Sequence, residues 1–576
     1  MFGSKIFEIL TLRDGSWTIE ATATSQEVAR EDAVKLLNRP NVFGVRVIKE
    51  SQKSISQLGP DDFLFEKLKP KTQDKIFIHD IDDAPLCDRA EDLLAKSGRV
   101  TINRLFRAYL DKNNLTATEV MHSAKEMKRL MDEGTLISSA VAKAAIWQAK
   151  KLEDSSTNER RDELFDFINN LNSKARAATE SKLPRIRDAG FNETYDLINS
   201  AATGEDAEYL ARVAIATELV DNRSYFGKLG QTMEWASSIE NEEAYLPLDF
   251  YVSDILNNAE IIQDLIGNQS DMGSALVTLI CLAEGEPLAE EMPEDLSPEH
   301  PEFAGFELNR LIADGKLPDS QSVLLDRVRR QLEGINPLSK GDREEEREVF
   351  HGLLDKLIPD INIIGGAAMA EAVTARQSSI INKGGNKGMK EATASVLPSL
   401  RGPDRKTGYL LALLESDIGQ DLLRTDIDGL LDSILVDPQT VNHMVREKIP
   451  PNKKMEKLTA ISGRISASNL PDERKHVLTS RLDDLLASYI VDGKILEKLD
   501  NPERPLHVRA FMLVSMVQPE TLPRGKASEL AREIIVKHLK RPNFEDELVA
   551  QIPNPDDKGR ILRQFHEKLH RSGFFG

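Results

Sequence analysis

From about Leu86 onward the apolar residues recur at three- and four-residue spacing, and the pattern stays helical through the rest of the chain. A sequence of this kind buries its apolar faces mainly by packing helix on helix. The composition agrees, with 40% hydrophobic and 30% charged residues but only 5% aromatic. Abundant Leu, Ala, Ile, Glu and Lys favour helices, whereas sheet-rich chains lean on Val, Thr, Tyr and Trp. At 576 residues the chain exceeds what one core usually organises, and about two to four domains are expected.

The first 51 residues follow a different period and predict a small ββαβ module. Residues 5–12 are strand-like, and Asp14-Gly15 is a hairpin signal before a second strand that alternates through Trp17, Ile19, Ala21 and Ala23. Thr24-Ser25-Gln26-Glu27 fits a capping box at the start of a helix. That helix would turn Val28, Ala29, Ala33, Leu36 and Leu37 inward and end near Asn38-Arg39-Pro40. Gly44 to Ile48 supplies the third strand. A module this small buries only a marginal core, so it is expected to dock on a neighbour or self-associate.

Residues 52–85, punctuated by Gly59-Pro60, Pro70 and Pro85, read as a linker. A helical domain is expected over 86–283, beginning with helices at Cys87–Ala95, Val100–Leu110, Thr116–Met131 and Leu136–Leu152. Turns at Ser97-Gly98, Asn113-Asn114 and Glu133-Gly134 separate them. The acidic, Pro-rich stretch 284–305 reads as a second linker and a domain boundary. The charged stretch Lys340 to Glu348 reads as a helix start. Residues 306–576 are expected to form an α-solenoid-like region, with irregular repeats of roughly 50 residues. Segments from Leu430, Leu485 and Glu533 each predict an apolar helix, a turn, a second helix, a turn and a third helix. Their anchors Ile434, Tyr489 and His538 lie 55 and 49 residues apart.

A formal charge of −20 opposes contact with phosphate backbones and anionic membranes, so neither nucleic acid nor membrane insertion is expected. Two cysteines, Cys87 and Cys281, are too few and too far apart for a disulfide framework or a CxxC zinc site. MFGSKIFEIL lacks the pattern of a signal peptide, and the longest apolar run, Ala275 to Ala283, is about half a bilayer span. A soluble cytoplasmic protein is expected.

Four segments carry residue types that could do chemistry. His566-Glu567-Lys568-Leu569-His570 is an HExxH, in which two imidazoles one helical turn apart could hold zinc with Glu567 as general base. With Arg571-Ser572-Gly573 it resembles the start of the metzincin protease signature HExxHxxGxxH over eight residues. It departs from that signature where the third histidine belongs, at Gly576. Ile561, Leu562 and Phe565 instead take the places of Ala510, Phe511 and Val514 in the preceding repeat, which predicts an amphipathic helix. His79-Asp80-Ile81-Asp82-Asp83 resembles the paired His-Asp of HD-type phosphohydrolases, with His122 the nearest further candidate, and otherwise reads as an acidic loop.

Lys383-Gly384-Gly385-Asn386-Lys387-Gly388-Met389-Lys390 is a basic, Gly-rich loop before a helix. Its backbone N–H groups and lysines could bind an anion or nucleotide, with Arg376 and Gln377 upstream facing the same cleft. It is no Walker A loop, because GxxxxGK[ST] is absent. Gly365-Gly366 could permit close helix approach or break a helix, and no GxSxG or GxGxxG occurs. The functional expectation is a non-enzymatic scaffold or adaptor that binds protein partners and needs no cofactor. A regulator sensing a small anionic ligand or nucleotide is the second reading, and a metal-dependent hydrolase the third.

Overall fold

A computed structural model describes residues 7–13, 16–37, 42, 44–49, 62–69, 76–152, 156–222, 224–287, 302–435, 450–519 and 521–574. The protein is mainly α, with a small antiparallel sheet near its N-terminus followed by a large helical region. Two compact units divide it, residues 1–77 and 78–576.

In the first unit, β1 (Phe7–Arg13) and β2 (Ser16–Ala23) form the expected antiparallel pair. The Asp14-Gly15 turn between them lies outside the described residues. The helix Gln26–Leu37 follows, then β3 (Gly44–Lys49) and a further strand, β4 (Phe63–Leu68). All neighbours are antiparallel in the order β2-β1-β3-β4. The module is therefore ββαββ, and part of the stretch read as a linker is its edge strand. Asp62, Glu66 and Lys67 hid that strand, because an edge strand tolerates charge and needs few apolar residues. Arg46 fastens it to β3, with a 2.6 Å ion pair to Glu66 and the guanidinium 4.0 Å from the rings of both Phe63 and Trp17.

The helix turns Ala29, Ala33, Leu36 and Leu37 onto Ile9, Val45 and Val47. Val28, expected inward, is about half exposed, because it falls at the edge of the stripe that the other four define. Ser25, one residue after the expected Thr24, caps the helix by accepting from the Val28 N–H at 3.3 Å.

The second unit is helical, and among the described residues no helix is long and apolar enough to cross a membrane. Its first helices differ from the expected boundaries. The segment from Cys87 contains only a 3₁₀ turn, Ala90–Leu93, and a helix starts at Lys96, so Ser97-Gly98 lies inside it. Gly98 is there because the helix crosses that turn too closely for a side chain; a Cβ would sit 2.4 Å from the Asp92 carbonyl oxygen. The expected Val100–Leu110 helix divides into Lys96–Leu105 and Arg107–Asn113, and the Leu105 carbonyl accepts from the His79 N–H at 3.1 Å. Thr116–Met131 likewise divides at Ser123 into Ala117–His122 and Ala124–Met131.

The acidic stretch begins after the helix Met272–Ala283, and residues 288–301 of it lie outside the described set. The helix Phe303–Ala313 starts inside the expected linker, and one apolar cluster runs from Ile186 to Leu569. The elements on either side of that stretch thus share a core. Asp342 caps the helix Arg343–Leu357, as the charged run implied. Near the C-terminus, Asp472–Asp492, Ile495–Leu499 and Leu506–Met516 are followed by Lys526–Leu539, Phe544–Val549 and Pro555–Arg571, so a long–short–long order recurs. Residues 436–449 of the preceding segment lie outside the described set.

Candidate functional site

The helix Pro318–Glu333 is held at its N-terminus by two buried side chains. Asp249 accepts from the Asp319 and Ser320 N–H groups at 2.7 and 3.0 Å and from the Ser320 hydroxyl at 2.5 Å. Arg99, on the helix Lys96–Leu105, donates to Asp319 at 2.8 Å and to Asp254 at 3.0 Å. Lys96, on the same helix, donates to the Ser322 hydroxyl at 2.7 Å. With the helix so placed, Val323, Arg327 and Arg330 recur at four- and three-residue spacing on one face, opposite Asn103 and Arg104.

The result is a cleft of about 320 Å³ lined by four arginines, Arg104, Arg107, Arg327 and Arg330, and two carboxylates, Asp80 and Asp326, together with His79 and Asn103. Arg104 pairs with Asp82 at 2.6 Å, Arg330 with Asp326 at 2.6 Å and Arg107 with Asp111 at 2.8 Å. Arg327 differs: it donates to the Asn257 carbonyl at 2.9 Å, and among the described residues no carboxylate lies within ion-pair distance of it. Burial first, and then repulsion from Arg107 and Arg330, push its pKa down to about 10. Asn103 is 4% exposed, and its side-chain nitrogen, a donor, has no partner. Buried donors of this kind ordinarily find an acceptor. The cleft therefore offers an under-neutralised guanidinium, which suits an anion with several oxygens.

Two further spaces adjoin it. A mixed-charge cleft of about 490 Å³ shares Arg104, Val323, Asp326 and Arg330, and adds Lys96, Thr101 and Pro85. Thr101 and Pro85 also line a cavity of about 90 Å³ whose other walls are largely apolar, among them Leu105, Phe106, Met121, Met127 and Val141. Gln148, on the same wall, has its polar atoms engaged by the Pro85 carbonyl and the Arg160 guanidinium.

Asp249 gives this arrangement a pH dependence. Burial first raises its carboxyl to about 6, against the hydrogen bonds from Ser320 and Asp319 that favour the ionised form. A folded pKa above the unfolded value means that the stabilisation is complete below about pH 4 and is lost as pH rises through about 6, roughly 3 kcal/mol in all. Asp249→Asn is expected to flatten that part of the stability profile, checked by urea unfolding at a series of pH values. An unchanged profile would refute the assignment.

No family model, curated protein or solved structure matches the chain.

Of the residues singled out in the sequence, His79 and Asp80 line this cleft, whereas those of the Gly-Lys loop and the HExxH segment lie elsewhere. Gly384 and Gly385 begin the helix Gly385–Val396, Lys383 is paired with Glu391, and Lys387 is exposed. Arg376 does not join them: it is 3% exposed and donates to the Gln331 and Asn336 carbonyls at 2.6 and 2.9 Å. It sits on the buried face of the helix Gly366–Ile380, so its charge serves backbone carbonyls. Gln377 reaches Ser395 at 2.9 Å.

His566 and His570 lie one turn apart and exposed on the helix Pro555–Arg571, with His566 3.1 Å from Glu545. Among the described residues no group of three His, Cys, Asp or Glu side chains could hold a metal. Phe565 and Leu569, buried beside them, anchor the helix, with Phe565 packed 5.5 and 5.7 Å from Phe511 and Phe544.

In the His79–Asp83 segment, Asp80, Asp82 and Asp83 pair with Lys143, Arg104 and Lys151, each at 2.6 Å. His122 does not join His79 in the cleft. It is buried 4.8 Å from the Tyr209 ring, and burial pushes its pKa down to about 3. The four cleft arginines were missed because each resembles a solvated helical charge in the sequence. The available signal was the three-residue spacing of Arg104 and Arg107, which flank the junction of two helices, and of Arg327 and Arg330 on a third.

Proposed function

We propose that the protein is a regulator that binds a small phosphate-bearing ligand in the arginine cleft. The observation that carries the reading is Arg327, a partly buried guanidinium with no carboxylate partner among the described residues and three further arginines lining the same space. A phosphate group accepts several hydrogen bonds at once and matches the planar guanidinium fork, so two or more arginines can share it. Arginines remain charged at neutral pH and do not shuttle protons, which favours recognition over acid–base chemistry in this cleft. A protein-binding scaffold, the role expected from the sequence, draws on no comparable cluster among the described residues.

Calorimetric titration of the full-length protein with inorganic pyrophosphate tests this. Saturable binding is expected, weakening about 10- to 100-fold in Arg327→Gln through loss of one charged hydrogen-bonding group. Absence of binding, or equal affinity in the variant, would refute it.

A further inference from the structure

We infer that the ligand is an amphiphile, a phosphate ester whose short apolar tail enters the cavity behind Thr101. This rests on the anion-binding reading of the arginine cleft. The helix Lys96–Leu105 is the partition: Asn103 and Arg104 line the cleft, whereas Ile102 and Leu105 line the cavity. Thr101 and Pro85 belong both to the cavity and to the mixed-charge cleft, which in turn shares Arg104 and Arg330 with the arginine cleft. The mixed-charge cleft thus borders both the arginine cleft and the apolar cavity, which lie on either side of one helix.

Neither space is served by a simpler molecule. Inorganic phosphate would make no use of the apolar cavity, and a hydrocarbon would leave the Arg327 charge without an anion. Apolar cavities exclude water and accept apolar guests, because water inside would have no hydrogen-bond partners. Met121 and Met127 on the cavity wall are unbranched and adapt to the shape of an occupant. A cavity of about 90 Å³ suits a short chain, and a long one would have to displace its walls.

The test is a calorimetric series on the full-length protein with inorganic phosphate and with ethyl, butyl, hexyl and octyl phosphate, all below their micellar concentrations. Affinity is expected to rise about 4-fold for each methylene buried and then level off once the cavity is full. Ala140→Leu, which fills the cavity from a wall position, should flatten the series while leaving inorganic phosphate binding unchanged. If that variant does not fold, the series on the native protein still decides the matter. Affinity independent of chain length, but lost in Arg327→Gln, would overturn the tail and keep the anion site. A chain-length dependence that persists unchanged in Arg327→Gln would overturn the amphiphile. Binding of neither phosphate nor any ester would overturn both readings.

Discussion

Lys228→Met is expected to destabilise the helical region by about 3–5 kcal/mol, because it leaves the Glu119 carboxylate buried without its counter-charge. Both side chains are fully buried, and the Lys228 ammonium lies 2.6 and 2.8 Å from the two Glu119 oxygens. The pair joins the helix Ala117–His122 to the helix Tyr225–Ser237. Glu119 also accepts from the Thr116 N–H at 2.7 Å, closing a capping box at the start of its own helix. Burial pushes the Glu119 carboxyl up and the Lys228 ammonium down, the strain expected of two ions taken out of water together.

The pair's strength and the penalty for breaking it are therefore different quantities. Lys228→Met/Glu119→Gln removes both charges but keeps an acceptor for Thr116, so it should recover most of the single variant's loss. Urea unfolding midpoints of the three proteins check this. A Lys228→Met midpoint equal to that of the native protein would show that the pair is hydrated.

The parts of the fold that were legible in the sequence are those fixed by local pattern. The hairpin strands, the Ala29–Leu37 stripe and the helix start near Asp342 each follow from spacing or capping within a few residues. The misread parts depend on contacts between separate elements. β4 is a strand because β3 offers it an edge, and its charged residues gave no sign of that partner. Ser97-Gly98 looked like a turn because glycine breaks helices, yet Gly98 serves as the contact point with a neighbouring turn.

The same distinction governs the site. The HExxH and the Gly-Lys loop are conspicuous because their residues are contiguous, but contiguity on an exposed helix face does not create convergence. Arg104 and Arg327 are 223 positions apart in a chain whose net charge is −20, and only tertiary packing makes them neighbours. An acidic surface is compatible with a local cationic cleft, because low-dielectric walls keep the field of nearby charges local.

Arg99→Met is expected to cost a further-reaching loss of about 3–5 kcal/mol, since Arg99 is 1% exposed and joins three helices. Its guanidinium donates to the carbonyls of Leu94 and Phe250 at 3.1 and 2.7 Å, to Ser253 at 2.9 Å, to Asp254 at 3.0 Å and to Asp319 at 2.8 Å. It also lies 4.0 Å from the Phe250 ring, which Arg212 approaches to 3.7 Å. The second Asp254 oxygen accepts from the Thr118 N–H and hydroxyl at 2.9 and 2.6 Å, so removing Arg99 strands a carboxylate that cannot leave without breaking another helix start. Arg99→Lys keeps the charge but replaces a planar fork of five donors by a single ammonium, and should lose roughly 1.5–3 kcal/mol.

Arg99 also holds the helix that carries Arg327 and Arg330, whereas Lys228 does not line the cleft. Compared under conditions where both remain folded, Arg99→Met should weaken pyrophosphate binding and Lys228→Met should not. Equal binding in the two variants would mean that Asp249 alone suffices to place the cleft's second wall; equal stability of Arg99→Lys and the native protein would mean that charge, rather than the geometry of the fork, is what this position requires.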